Sequence, residues 1–149
     1  MKNGIFKLIF ILLIVPSCSH DCDKDVCSFD FKNNSLSTLS IYFSNSYPDT
    51  GLFKTLGDLG CSLIKPNSNC ECPSRGSWKD HINQLCKGGK LTLFVFSKDT
   101  INKYTWESVK ANYNVLIRYE LSIEDFQNRN WKVEYPYDST KGKLSVWPK

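Results

Sequence analysis

Seven cysteines and two histidines are the most reactive side chains in this sequence. Five of them, Cys61, Cys70, Cys72, His81 and Cys86, lie close together, and soft thiolates with an imidazole are the ligands zinc prefers. The spacing lacks the paired Cys-x-x-Cys knuckles of a zinc site, so neither a metal nor any other cofactor is expected. Catalytic residues are equally hard to assign. His20 lies in a polar stretch with nothing to orient it. His81 follows Asp80, but adjacent positions on a helix point about 100° apart, so His81 reads as a surface histidine. No Gly-x-Ser-x-Gly elbow, phosphate loop, dinucleotide fingerprint or His-Glu-x-x-His is present. Glu124 and Asp125 are adjacent carboxylates that a helix start explains, since negative charge is favoured at the positive end of the dipole. Trp78, Trp106, Trp131 and Trp147 could stack on sugars, yet their periodicity favours a core role, least clearly for Trp147. "YPDT" at 47–50 is a loop with binding potential, and its simpler reading is a turn in which Pro48 sets φ.

The N-terminus carries a different kind of chemistry. Lys2 and Lys7 precede or begin an apolar run, and Leu8 to Val15 are uninterruptedly apolar. A membrane-spanning helix needs about 20 such residues, so this run matches the core of a signal peptide better than a permanent span. Val15-Pro16-Ser17-Cys18 then resembles the lipobox of bacterial lipoproteins. Val15, Ser17 and Cys18 match the pattern, and Pro16 departs from its usual small or hydroxyl residue. The resemblance implies that residues 1–17 are removed and that the Cys18 thiol takes a diacylglyceryl group. It also implies a further acyl chain, such as palmitate, on the new amino terminus. A thiolate suits that transfer because it is a far better nucleophile than a hydroxyl.

Setting Cys18 aside leaves an even six: Cys22, Cys27, Cys61, Cys70, Cys72 and Cys86. Disulfides persist in exported proteins, so three bridges are expected. Cys70 and Cys72 are separated only by Glu71, and so short a loop strains a bridge between them. Each should therefore reach a distant partner. Loss of Lys2 and Lys7 also brings the formal charge of +4 closer to neutral. That leaves no electrostatic footprint for nucleic acid.

The elements that would hold these residues are mostly strands. Residues 18–25 are polar and acidic, the composition of a solvated tether, and residues 26–149 form one domain. "VCSFDFK" places Cys27, Phe29 and Phe31 on one face, and "LSIYFS" alternates Leu39, Ile41 and Phe43 with Ser40, Tyr42 and Ser44. Period two marks strands with one buried face, and the turn-like residues between them suggest a hairpin. "CSLIK" is a candidate short strand, and "PNSNCECPSRGS" reads as a disulfide-held loop. Trp78, Ile82, Leu85 and Cys86 recur at helical spacing before Gly88 and Gly89. "LTLFVFS" is a central strand, apolar nearly throughout. Trp106, Val109 and Tyr113 mark a helix, "NVLIRYELS" and "WKVEYP" alternate again, and Ser122 with Asp125 resembles a helix-capping pair. "KLSVW" at 143–147 is a last edge strand. Six or seven short strands with two or three short helices predict a mainly β fold, an antiparallel β-sandwich. The alternative is a single antiparallel sheet covered by helices.

The run "DTINKYTWESVKANYNVLIRYELSIEDFQNRNW" and its following Tyr-Pro, with "NNS" and "YPDT" upstream, resembles a group of small lipoproteins of gut-commensal Gram-negative bacteria. The resemblance spans most of residues 26–149 and implies no particular activity or site residues. The six additional cysteines depart from that pattern. The sequence therefore predicts a lipid-anchored protein of the cell envelope, on the outer membrane, reaching the membrane through Cys18. Its expected role is that of a non-enzymatic binding or accessory module for an envelope protein or a glycan. The alternatives are a small hydrolase whose carboxylates come from separate loops, and a structural subunit of an envelope complex.

Overall fold

In a computed structural model, residues 26–52, 59–141 and 143–147 are described. Cys18, Cys22 and His20, with the segments expected as signal peptide and tether, lie outside the described residues. Two sheets face one another. One has three strands in the order β4 (Ser68–Pro73), β1 (Ser28–Asn33) and β7 (Lys132–Tyr135). The other has five, in the order β3 (Leu59–Ile64), β2 (Leu39–Ser44), β5 (Leu91–Ser97), β6 (Ile117–Leu121) and β8 (Ser145–Trp147). Four short helices fill the connections: α1 (Trp78–Leu85), α2 (Lys98–Lys103), α3 (Trp106–Asn112) and α4 (Ile123–Asn128). The fold is the expected mainly β, sandwich-like arrangement, with eight strands among the described residues. Two facing sheets replace the single-sheet alternative, and both strands and helices exceed the expected numbers. The extra strand is β4, hidden in a turn-rich sequence, and the extra helix is α2, only six residues long.

The main core lies between the sheets. Phe29, Phe31, Cys72 and Val133 come from one side and Leu39, Ile41, Leu93, Val95, Tyr119 and Leu121 from the other. Trp78 and Ile82 of α1 and Phe126 of α4 close its ends. A second, smaller core forms on the far face of the five-stranded sheet, where Tyr42, Phe94 and Phe96 meet Ile101, Val109 and Leu52. Strands β2 and β5 are consequently covered on both faces. That explains why "LTLFVFS" is apolar without alternation.

This double burial also corrects the expected hairpin. Strand β1 has one buried face and a polar one carrying Asp30 and Lys32, so it belongs where one face meets water. Tyr42 and Ser40 of β2 are buried along with Leu39 and Ile41, so β2 needs cover on both sides. The two strands enter different sheets, and the residues between them carry the chain across. Asn33 organises this crossing. It is fully buried, and its Nδ2 donates to the carbonyls of Ser37 (2.7 Å), Ile64 (3.0 Å) and Lys65 (3.1 Å). Its Oδ1 accepts from Ser35 N at 2.9 Å and Ser35 Oγ at 2.7 Å.

Two of the six disulfide candidates bridge each other. Cys61 of β3 and Cys70 of β4 are joined, linking one sheet to the other at the corner where Lys65 to Asn67 turn the chain. Cys27 is also disulfide-bonded. The bonded pair removes two thiolates that a zinc site would need. Cys72 and Cys86 correct the expectation of three bridges, because both retain thiols. Cys72 lies opposite Phe29 in the β1–β4 register and is 1% exposed, packed as a small apolar residue. Cys86 follows α1 and directs its Sγ to Asn45 Oδ1 at 3.5 Å. Leu85 also departs from expectation, being exposed rather than on the buried face of α1. Cys61 and Cys70 are nine residues apart. Closing so short a loop in the unfolded chain is worth about 3 kcal/mol. Replacing both by Ala should lower the urea-unfolding free energy by about that amount, while circular dichroism stays that of the parent.

Candidate functional site

The outer face of the three-stranded sheet carries a groove of about 530 Å³. Its floor follows from alternation. Phe29, Phe31 and Val133 point into the core, so Asp30, Lys32, Lys132 and Glu134 point out. Strands β1 and β7 run parallel, with Asp30 opposite Lys132 and Lys32 opposite Glu134. Strand β4 pairs antiparallel on the other side of β1 and sets Asn69 beside Lys32. The floor is thus a checkerboard of opposite charges with an amide at one edge.

One wall comes from the end of α4 and the turn into β7, through Asn128, Arg129 and Asn130. Helix α4 starts at the expected capping pair: Ser122 Oγ accepts from Asp125 N (3.2 Å), and Asp125 Oδ2 accepts from Ser122 N (2.8 Å). The turn after it holds Asn130 and Trp131 at φ +52° and +59°. The left-handed region suits Asn but is strained for Trp. The Trp131 ring stacks on Phe126 with centroids 5.1 Å apart, which holds the turn in place. Arg129 lies over the Tyr137 ring at 5.4 Å.

The opposite wall is Lys141. Its Nζ is 2.6 Å from Glu134 Oε1 and 3.6 Å from Asp138 Oδ2. The bond to Glu134 raises the Lys141 pKa. Hydrogen bonds from the Thr140 hydroxyl and backbone N–H hold the Asp138 carboxyl below its usual range. Glu134 Oε2 also accepts from Asn34 Nδ2 at 3.0 Å. From the facing sheet, the Tyr119 hydroxyl crosses the core and donates to the Glu134 carbonyl at 2.6 Å, pinning β7. Both oxygens of Glu134 are therefore occupied. The ammonium groups of Lys32 and Lys132 have no ion-pair or hydrogen-bond partner among the described residues and are exposed.

No protein-family model, curated protein or solved structure matches this chain. The site therefore has to be argued from its own chemistry.

The residues singled out in the sequence lie elsewhere. His81 is half-buried on α1, with Nε2 3.0 Å from Asn45 Oδ1 and its ring 5.0 Å from that of Trp78. It borders a shallow cleft of about 410 Å³ with Phe43, Arg75 and Leu85. Asn45, on the segment after β2, is thus a partner of this ring from a distant part of the chain. Asp49 of "YPDT" turns inward and is 1% exposed, with Oδ1 accepting from Gly51 N at 3.2 Å and Leu52 N at 3.0 Å. That loop is built around a buried side chain instead of offering it to a ligand. Trp78 is buried, Trp106 and Trp131 are half-buried, and Trp147 is exposed, lying edge-on to Tyr113 at 4.7 Å. None of the four lines the groove. Its floor residues Asp30, Lys32, Lys132 and Glu134 were visible in the sequence only as the polar half of two alternating strands, and Asn69, Asn128, Arg129, Asn130 and Lys141 carried no signal.

Proposed function

We propose that this protein is a lipid-anchored module of a Gram-negative cell envelope that binds a polar ligand in the groove over β4, β1 and β7. Cys18 carries the lipid, residues 18–25 form the tether, and the sandwich presents the groove. The observation that carries the binding reading is the groove itself. It has the volume of a small-molecule site, with Lys32 and Lys132 diagonal to each other on adjacent strands and available to an incoming group. The lipid anchor rests on Val15 to Cys18 in the sequence. Mass spectrometry of the mature protein extracted from host membranes should find an N-terminal Cys18 bearing diacylglycerol. An unmodified Cys18 would overturn the anchor.

A second reading, hydrolysis, is favoured by one specific feature: Asp30 and Glu134 are two carboxylates in one cleft. Glu134 is engaged through both oxygens by Lys141 and Asn34. With both oxygens held by protein donors, Glu134 is a fixed acceptor with no oxygen left over to act on a substrate. Binding is therefore the better account of the groove.

A further inference from the structure

We infer that the groove is selective for acidic carbohydrate, an oligosaccharide carrying carboxylate or sulfate groups. This rests on the reading of the groove as a ligand site and assigns its ligand class. Two features of the lining carry it. The first is charge. Lys32, Arg129, Lys132 and Lys141 face two carboxylates, Asp30 and Glu134, so the cavity is net positive. Glu134 is already neutralised by Lys141 at 2.6 Å. Lys32 and Lys132, two positions out of register on neighbouring parallel strands, form a pair that can close on a single anionic group.

The second feature is the kind of polarity between the charges. Asn69, Asn128 and Asn130 each present an amide that both donates and accepts. A sugar hydroxyl also does both, and a run of hydroxyls along a chain matches a run of amides along a groove. Asp30 supplies a further acceptor. The left-handed turn held by Trp131 on Phe126 fixes the backbone that carries Asn130 at the groove wall.

Other polyanions fit less well. Single-stranded nucleic acid is held by aromatic platforms, and no aromatic residue among the described residues lines this groove. A peptide docked in a groove relies on apolar pockets for its side chains, and among the described residues Val133 is the sole apolar one of the lining. A lone inorganic anion would use the two lysines but leave the amides idle.

The test is calorimetric titration of the full-length protein in detergent with tetra- to hexasaccharides cut from polygalacturonate, alginate, hyaluronan, chondroitin sulfate and heparin. Carboxyl-reduced galacturonate tetrasaccharide and sodium sulfate serve as controls. At least one acidic chain should bind, with affinity falling as salt rises. Lys32→Gln/Lys132→Gln should weaken it tenfold or more, and Asn69→Ala/Asn130→Ala should weaken it severalfold. All four positions are exposed, and circular dichroism checks that each variant folds. If the reduced chain binds as tightly as its acidic parent, acid selectivity is wrong while the groove stands as a sugar site. If sulfate binds as tightly as any oligosaccharide, the site is an anion site and the carbohydrate assignment falls. If an acidic chain binds but neither double variant changes its affinity, the groove itself is the wrong place. Absence of binding by every acidic chain overturns the inference.

Discussion

Asn33→Ala should lower the unfolding free energy by about 3 kcal/mol or more, the largest loss expected from truncating any single polar side chain here to Ala. The side chain satisfies three carbonyls that belong to two separate connections, Ser37 on one and Ile64 and Lys65 on the other. Removing the amide leaves these carbonyls without that donor in a buried setting, and each buried unpaired acceptor costs about 1–3 kcal/mol. The loop from β1 to β2 loses its Ser35 contacts at the same time. Partial hydration of the more accessible Ser37 and Lys65 carbonyls keeps the total below the simple sum. Urea denaturation followed by tryptophan fluorescence measures the change. A loss under about 1 kcal/mol, the worth of one ordinary hydrogen bond, would show that the two connections do not depend on this residue. Asn33→Asp should be worse still, since it aims carboxylate oxygen at carbonyl oxygen.

Stability should also fall steeply above pH 9. Burial pushes the Cys72 thiol up from an ordinary 9.0 to about 12, with the charges of Asp30 and Glu71 adding to the effect and a backbone hydrogen bond from Phe31 opposing it. The folded pKa is raised, and the neutral thiol is the favoured form. Below pH 9 both the folded and unfolded chains hold the proton, and the stability is intact. Between about pH 9 and 12 the unfolded chain releases it while the folded chain does not. Unfolding is then increasingly favoured. The full interval corresponds to about 4 kcal/mol. Burial raises the Tyr119 hydroxyl as well, so its contribution has the same sign. Urea midpoints at pH 8, 9.5 and 11 should decline progressively, and Cys72→Ala should decline less steeply from a lower start. Equal slopes for the two proteins would remove Cys72 as the cause. At pH 8 the native thiol should resist maleimide until denaturant is added.

What could be read from the sequence was whatever one element records alone. Ser122 and Asp125 announced α4 because a capping pair is local chemistry. The apolar run of β5 announced a strand covered on both sides because Leu93 and Phe94 need different cores. Alternation found β1, β2, β6 and β7. Pairing was not legible, because period two records a buried face and not which neighbour shares the sheet. Strand β1 therefore read as the hairpin partner of β2, when its neighbours are β4 and, about a hundred residues on, β7. The groove inherits that difficulty. Lys32 and Lys132 meet only through a parallel pairing that neither segment encodes by itself. Strand β4 was obscured for another reason: Asn, Glu and Pro occupy its exposed positions, and its buried side is made of cysteines.

Those cysteines do more than staple a corner. In a strand, a slip of one residue turns the buried face outward and is rejected by the core, but a slip of two preserves the faces. On β4 such a slip would merely exchange Cys70 for Cys72 on the same inward side. Hydrophobic patterning discriminates poorly between those two alignments. The covalent bond distinguishes them once it has formed: by joining Cys61 to Cys70 and not to Cys72, it holds one alignment and keeps Asn69 in its place beside Lys32. In this way an oxidation event at the half-buried edge of the core holds the spacing of the amide and the charge on the opposite, water-facing side of the sheet.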